Sequence, residues 1–209
     1  MDTRLRVGRA IAKTEGETAI QLMQMLKQAH PETPPALATD AKGGYTDAII
    51  ETWGKVPVYR GWGRPPERKR PQPDWQYLQI QKIRSGGRIV EVRTEVIFGD
   101  REQVMKTLGK HTAYIERSQL ASRQMNARVV RKTLSFAKDL QYLNASCAWE
   151  DALYNWTRPH CSLRQPTSTP GRRWIQRTPA MASGLTDHIW SVRELLTSVV
   201  LPTRAVNAN

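Results

Sequence analysis

Apolar residues at Ala19, Leu22, Met23 and Leu26 recur at helical spacing, and Thr14 precedes Glu17 by the three residues of a capping box. Together they predict a helix from about Glu15 to Ala29, ended by His30-Pro31 and the ETPP run. Ahead of it, Leu5, Val7 and the Ala10 to Ala12 stretch read as strand. Behind it, Ala36 to Thr39 is a short buried type of strand that delivers Asp40 at its carboxyl end, just before Gly43-Gly44. Tyr45 to Trp53 fits a helix closed by Gly54. Leu78 and Ile80, then Gly86-Gly87, then alternating Val90, Val92, Thr94, Val96 and Phe98 predict a β-hairpin. Helical patterning returns at 101–108, over most of 112–138, around 148–156 and at 189–196. Helices interleaved with short strands place the chain in the α/β class.

At 209 residues the chain suits one domain with a sizeable core and a short appendage. We expect the main domain over 1–165, interrupted at 55–100 by a basic loop and the hairpin. The linker QPTSTPGRRW then leads into a tail over 166–209 with one short helix. No internal repeat is visible. The loop from Arg60 to Pro73, rich in bases and proline, cannot bury a core and reads as exposed.

Charge changes the picture. Lys and Arg number 32 against 19 acids, a formal net charge of +13, which favours a polyanionic partner and above all DNA. No apolar run of membrane-spanning length and no secretory signal pattern occurs, so the expectation is a cytoplasmic protein, nucleoid-associated when bound to DNA. The two cysteines, Cys147 and Cys161, lie too far apart for a zinc motif and read as reduced thiols.

The candidate chemistry lies between His111 and Lys138, where a single acid, Glu116, is followed by Arg117, Arg123, Arg128, Arg131, Lys132 and Lys138. An acid can hold a divalent cation while bases hold phosphates, the combination that metal-assisted chemistry on a nucleic acid backbone needs. Asp40 at a strand end is the natural second acid, because open α/β sheets build their sites at that edge. Glu116 and Arg123 fall on one helix face, about 10 Å apart along the axis. Arg117, Arg128, Arg131 and Lys132 make an adjacent phosphate track. The plainer alternative is that Asp40 caps a turn and Glu116 belongs to a solvated helix face. In YNWTRPH, Arg158 and His160 either approach phosphates or simply end and cap a helix. His111 sits just upstream of Glu116, His30 and His188 carry no supporting neighbours, and among the seven tryptophans Trp62 stands out as a base-stacking candidate.

The strings HTAYIERSQLASRQ and RKTLSFAKDL, followed by YNWTRPHCSLR and RTPAMASGLTDHIW, resemble the C-terminal half of insertion-sequence transposases with a DDE catalytic triad, most of all the insertion-sequence-one family. MDTRLRVGRAIAKTEGETAIQLM is similar to the strand and helix between that family's first and second aspartates, and ALATDAKGGY to the strand ending in the second. The resemblance implies an RNase H-like fold, Mg²⁺ or Mn²⁺ held by three acids, cleavage and joining of DNA at transposon ends, and a homo-oligomer on DNA. It carries the second aspartate onto Asp40, the glutamate onto Glu116 and the following basic residue onto Arg123. The first aspartate has no counterpart, and Asp2 matches an ordinary turn acid. The expectation is therefore a truncated or remnant transposase, or the product of a misplaced start codon. It would lack the leading strands of the sheet, be poorly soluble and be inactive alone. The alternative is a non-catalytic basic DNA-binding protein.

Overall fold

A computed structural model describes residues 3–41, 44–61, 63–109, 113–130, 132–168 and 170–198, with the backbone alone over 113–115. The chain divides into two compact units, one over 7–123 and one over 124–209 together with 1–6. The boundary expected at 165/166 thus falls inside the second unit.

The first unit begins with α1 (Glu15–Ala29), whose N-cap Thr14 accepts a hydrogen bond from the Glu17 amide at 3.2 Å. Glu15 and Glu17 in its first turn and Lys27 in its last complement the helix dipole. β1 (Leu37–Asp40) follows, then α2 (Tyr45–Trp53), which packs on α1 through Ala48, Ile49 and Trp53 against Ala19 and Met23. The two helix ends are tied together: the Trp53 indole donates to the His30 carbonyl at 2.7 Å, and the Lys27 ammonium donates to the Thr52 carbonyl at 2.6 Å. Gly54 closes α2 because a Cβ there would lie 2.3 Å from the Ile50 carbonyl oxygen and 2.9 Å from the Lys69 Cβ. The basic loop beyond it is pinned at its base by paired backbone bonds between Lys55 and Arg70, and Arg60, Arg64, Arg68 and Arg70 are exposed.

β2 (Tyr77–Ser85) and β3 (Arg88–Phe98) form the expected hairpin, with Gly86 and Gly87 both at positive φ in the turn. β2 pairs in parallel with β1, placing Asp40 opposite Ile80, and antiparallel with β3, giving a sheet of order β1-β2-β3. Side chains alternate between the two faces. Leu37, Tyr77 and Phe98 join the α1/α2 cluster on one side, while Ala38, Leu78, Ile80 and Val96 meet Val104, Met105 and Leu108 on the other. Those last three belong to α3 (Arg101–Leu108), capped by Asp100 through the Gln103 amide. α4 (Ala113–Met125) follows.

In the second unit, α5 (Leu140–Ala152) is capped by Asp139 and widens into a π-turn over Leu153–Thr157. Cys147, Glu150, Tyr154 and Asn155 are buried there. β4 (Gln165–Pro166) and β5 (Trp174–Ile175) pair antiparallel, α6 (Pro179–Ala182) is capped by the fully buried Thr178, and α7 (Val192–Thr197) carries a complete capping box between Ser191 and Glu194.

Three expectations about elements need correction. No strand forms over 5–12; instead the Asn155 side-chain amide takes both backbone groups of Arg6, accepting from its N–H at 3.0 Å and donating to its carbonyl at 2.8 Å. The helix expected over most of 112–138 stops at Met125. Asn126 turns its side chain onto the Arg128 amide, a short 3₁₀ turn follows over Ala127–Val129, and Lys132 stands at φ 56°, which a helix does not accommodate. The helix expected around 148–156 starts earlier, at Leu140, where Asp139 supplies the cap.

Candidate functional site

Asp40 ends β1 and is exposed at the carboxyl edge of the strand. Its register partner is Ile80, and two residues further along β2 stands Lys82. Partners in a parallel ladder share a face, and a two-residue step returns to it, so Asp40 and Lys82 emerge on the same side of the sheet. Strand spacing puts their Cα atoms about 8 Å apart. Lys82 is largely covered, with 23% of its side chain accessible, and its ammonium forms an ion pair with the carboxylate of Glu116 from the first turn of α4. Glu116 is thus held by Lys82, a lysine that the sequence reading passed over, on the sheet face that Asp40 shares one step along the ladder. A signal for it exists in retrospect. Leu78 and Ile80 are buried, and the next position on that face breaks the apolar alternation with a cation.

Beside this edge lies a shallow groove lined by Ala41, Gln79, Gln81, Arg93, Thr94 and Glu95. The Gln79 amide is already engaged, donating to the Tyr77 hydroxyl at 2.7 Å and to the Thr46 hydroxyl at 3.2 Å. Arg93 is engaged too, donating to the Glu91 carboxylate at 2.7 and 3.0 Å, which leaves Gln81 as a groove-lining amide donor.

The basic candidates divide between the units. Arg117 and Arg123 are exposed on α4 with Glu116, and the helical spacing of Glu116 and Arg123 holds. Arg128 and Lys132 are exposed but lie past the end of that helix, so the single-helix phosphate track expected from Arg117, Arg128, Arg131 and Lys132 does not form there. Arg131, His111, Gly43 and Trp62 lie outside the described residues. Arg158 ends the π-turn, donating its amide to the Leu153 carbonyl and its guanidinium to the Met125 sulfur at 2.9 Å. His160 is half-buried: its amide donates to the Arg177 carbonyl at 3.0 Å, and its ring meets that of Tyr154 edge-on at 4.5 Å. Those contacts give Arg158 and His160 structural work of their own.

Two further clusters escaped the sequence reading. Arg6 bridges Glu150 and Asp151, contacts too distant in sequence to anticipate. His188, read as lacking supporting neighbours, lies 2.6 Å from Asp187 and 3.0 Å from Glu194. These contacts raise the imidazole pKa, first through Asp187 and then Glu194, and the Ser191 amide, the Ser191 hydroxyl and His188 draw Glu194 down to about 2.

Among the described residues no group of three or more His, Cys, Asp or Glu side chains converges, and one of the two acids here is already neutralised by Lys82. Two carboxylates supply fewer oxygen donors than a divalent ion takes. Among the described residues no helix is long and apolar enough to cross a membrane. No protein-family model matches the chain, and no curated protein or solved structure matches it either.

Proposed function

We propose that the chain is a DNA-handling fragment of a DDE-type transposase core, built on an RNase H-like plan, in which Asp40 and Glu116 are two of three metal-binding acids and the third is not among its residues. The observation that carries this reading is the placement of Asp40 at the carboxyl end of a strand paired in parallel with the strand on which the helix bearing Glu116 is anchored. The element order supports it too. A helix, a strand ending in an acid, a second helix and a parallel strand occur in succession, and β1 lies at the sheet edge where leading strands of an RNase H-like sheet would pair. With only two acids, the chain by itself does not cut or join strands. Asp40 and Glu116 would supply two of the ligands to Mg²⁺ or Mn²⁺, whose Lewis acidity would serve phosphoryl transfer. This chain's own residues contribute acids at the strand end and bases, foremost Arg117 and Arg123, for phosphates. A non-catalytic basic DNA-binding role is the second reading, and the neutralisation of Glu116 by Lys82 favours it, since a carboxylate held by a lysine neither repels a phosphate nor awaits an ion.

Duplex binding and plasmid nicking by the purified chain test this function. The expected results are binding that weakens steeply with salt, unchanged or tightened by Asp40→Ala and Glu116→Ala, and no nicking with Mg²⁺. Mg²⁺-dependent nicking abolished by Asp40→Ala would overturn the claim that the chain is inactive alone, and failure to bind DNA at low salt would overturn both readings.

A further inference from the structure

β3 is the outer strand of its sheet: β2 covers one edge, and among the described residues no strand covers the other. It is 11 residues long, contains no proline, and is exposed along its first six residues. An open edge of this kind offers a row of backbone donors and acceptors to another strand. The register with β2 skips Val90 and Ile97, since Ile83 pairs with Glu91 and Arg84 with Ile89, while Tyr77 pairs with Phe98 and Leu78 with Val96. Between those two irregularities the strand is regular.

The regular stretch reads Val92-Arg93-Thr94-Glu95-Val96, which is self-complementary when run against itself in the opposite direction. With a two-fold axis through Thr94, Val92 faces the partner's Val96, Arg93 faces the partner's Glu95, and Thr94 faces the partner's Thr94. Valine and threonine lie on one side of the joined sheet, and two opposite-charge pairs lie on the other. β-Branched pairs, a threonine pair and opposite charges are the cross-strand combinations that stabilise antiparallel ladders. Shifting the axis by one residue to Arg93 would set arginine against arginine and Glu91 against the partner's Glu95, so charge selects among registers. Val92 is 49% exposed and Arg93 and Glu95 are exposed, while Arg93 already binds Glu91 on its own strand at 2.7 and 3.0 Å, which holds its guanidinium on the side the partner's Glu95 would meet. We propose that β3 is a homodimerisation edge, joining two copies of this chain antiparallel through Val92–Val96 into one continuous sheet. The claim is independent of DNA binding.

Charge-swap variants in analytical ultracentrifugation, on nuclease-treated and salt-washed protein, test it. The wild-type chain should self-associate as a dimer. Arg93→Glu and Glu95→Arg each set like charges across the axis twice and should raise the dissociation constant at least about tenfold, roughly 1.4 kcal/mol. Mixing these two variants should restore dimers, because every facing pair is then opposite in charge, and the double variant Arg93→Glu/Glu95→Arg should also dimerise. Circular dichroism of each single variant, together with recovery in the mixture, excludes unfolding as the cause. A monomeric wild-type chain, single variants that dimerise as wild type does, or a mixture that stays monomeric would each overturn the proposal.

Discussion

The guanidinium of Arg6 lies 2.6 Å from Glu150, 3.0 Å from Asp151 and 3.8 Å from the centre of the Tyr154 ring. The arginine and Glu150 side chains are only 11% and 4% accessible, so neither charge can turn to water when its partner is lost. Arg6→Ala leaves buried carboxylates without their cation and should destabilise this unit by about 3 kcal/mol in urea unfolding, whereas a loss below about 1 kcal/mol would make the cluster an ordinary surface pair. A second residue-scale prediction concerns pH. His188 has a raised pKa in the fold, so its contribution is complete below its ordinary value near 6.5 and is lost as pH rises through the raised value. Glu194 is depressed to about 2, so its contribution is complete above about 4.5 and is lost as pH falls toward 2. The His188 ring stacks near Trp190 at 6.4 Å, and a protonated imidazole quenches indole emission. A fluorescence rise with a midpoint above 6.5, absent in His188→Gln, is expected; a midpoint at or below 6.5 would contradict the ion contacts.

At the scale of elements, those whose determinants are local could be read directly. α1 follows from Thr14 and the Ala19-Leu22-Met23-Leu26 face, and the hairpin from Gly86-Gly87 between alternating arms. The segment after Met125 could not, because Asn126 is buried and its side chain reaches both the Arg128 amide and, at 3.8 Å, the Cys147 sulfur, a contact between distant positions. The strand expected at Leu5 failed for a related reason: a single side-chain amide from Asn155 replaced a ladder. The acids of the candidate site were visible as residue types and Lys82 as a break in the apolar alternation of β2, but the pairing of Lys82 with Glu116 was not, because nothing in their spacing announces it. α4 carries the basic pair with the clearest consequence. If Arg117 and Arg123 each neutralise a phosphate, then Arg117→Ala/Arg123→Ala should shallow the slope of log affinity against log salt by about 2, measured by fluorescence anisotropy on duplex DNA. An unchanged slope would move DNA contact away from this helix.

At the scale of the molecule, the first unit is a three-stranded sheet covered by α1 and α2 on one face and α3 on the other, with Asp40 at the carboxyl end of β1 and Lys82 of β2 paired with Glu116 of α4. The second unit is helical, organised around α5 and its π-turn. The net charge of +13 belongs to the whole chain and argues for a polyanion without saying which face meets it. The function rests on a narrower claim, that Asp40 and Glu116 act as one acid site that Lys82 holds closed. Mn²⁺ binding followed by electron paramagnetic resonance tests this most directly. The account predicts weak binding that either Asp40→Ala or Glu116→Ala removes, no further loss in the double variant, and a severalfold gain in Lys82→Ala, where the ion no longer competes with an ammonium. Binding indifferent to all three substitutions would contradict it.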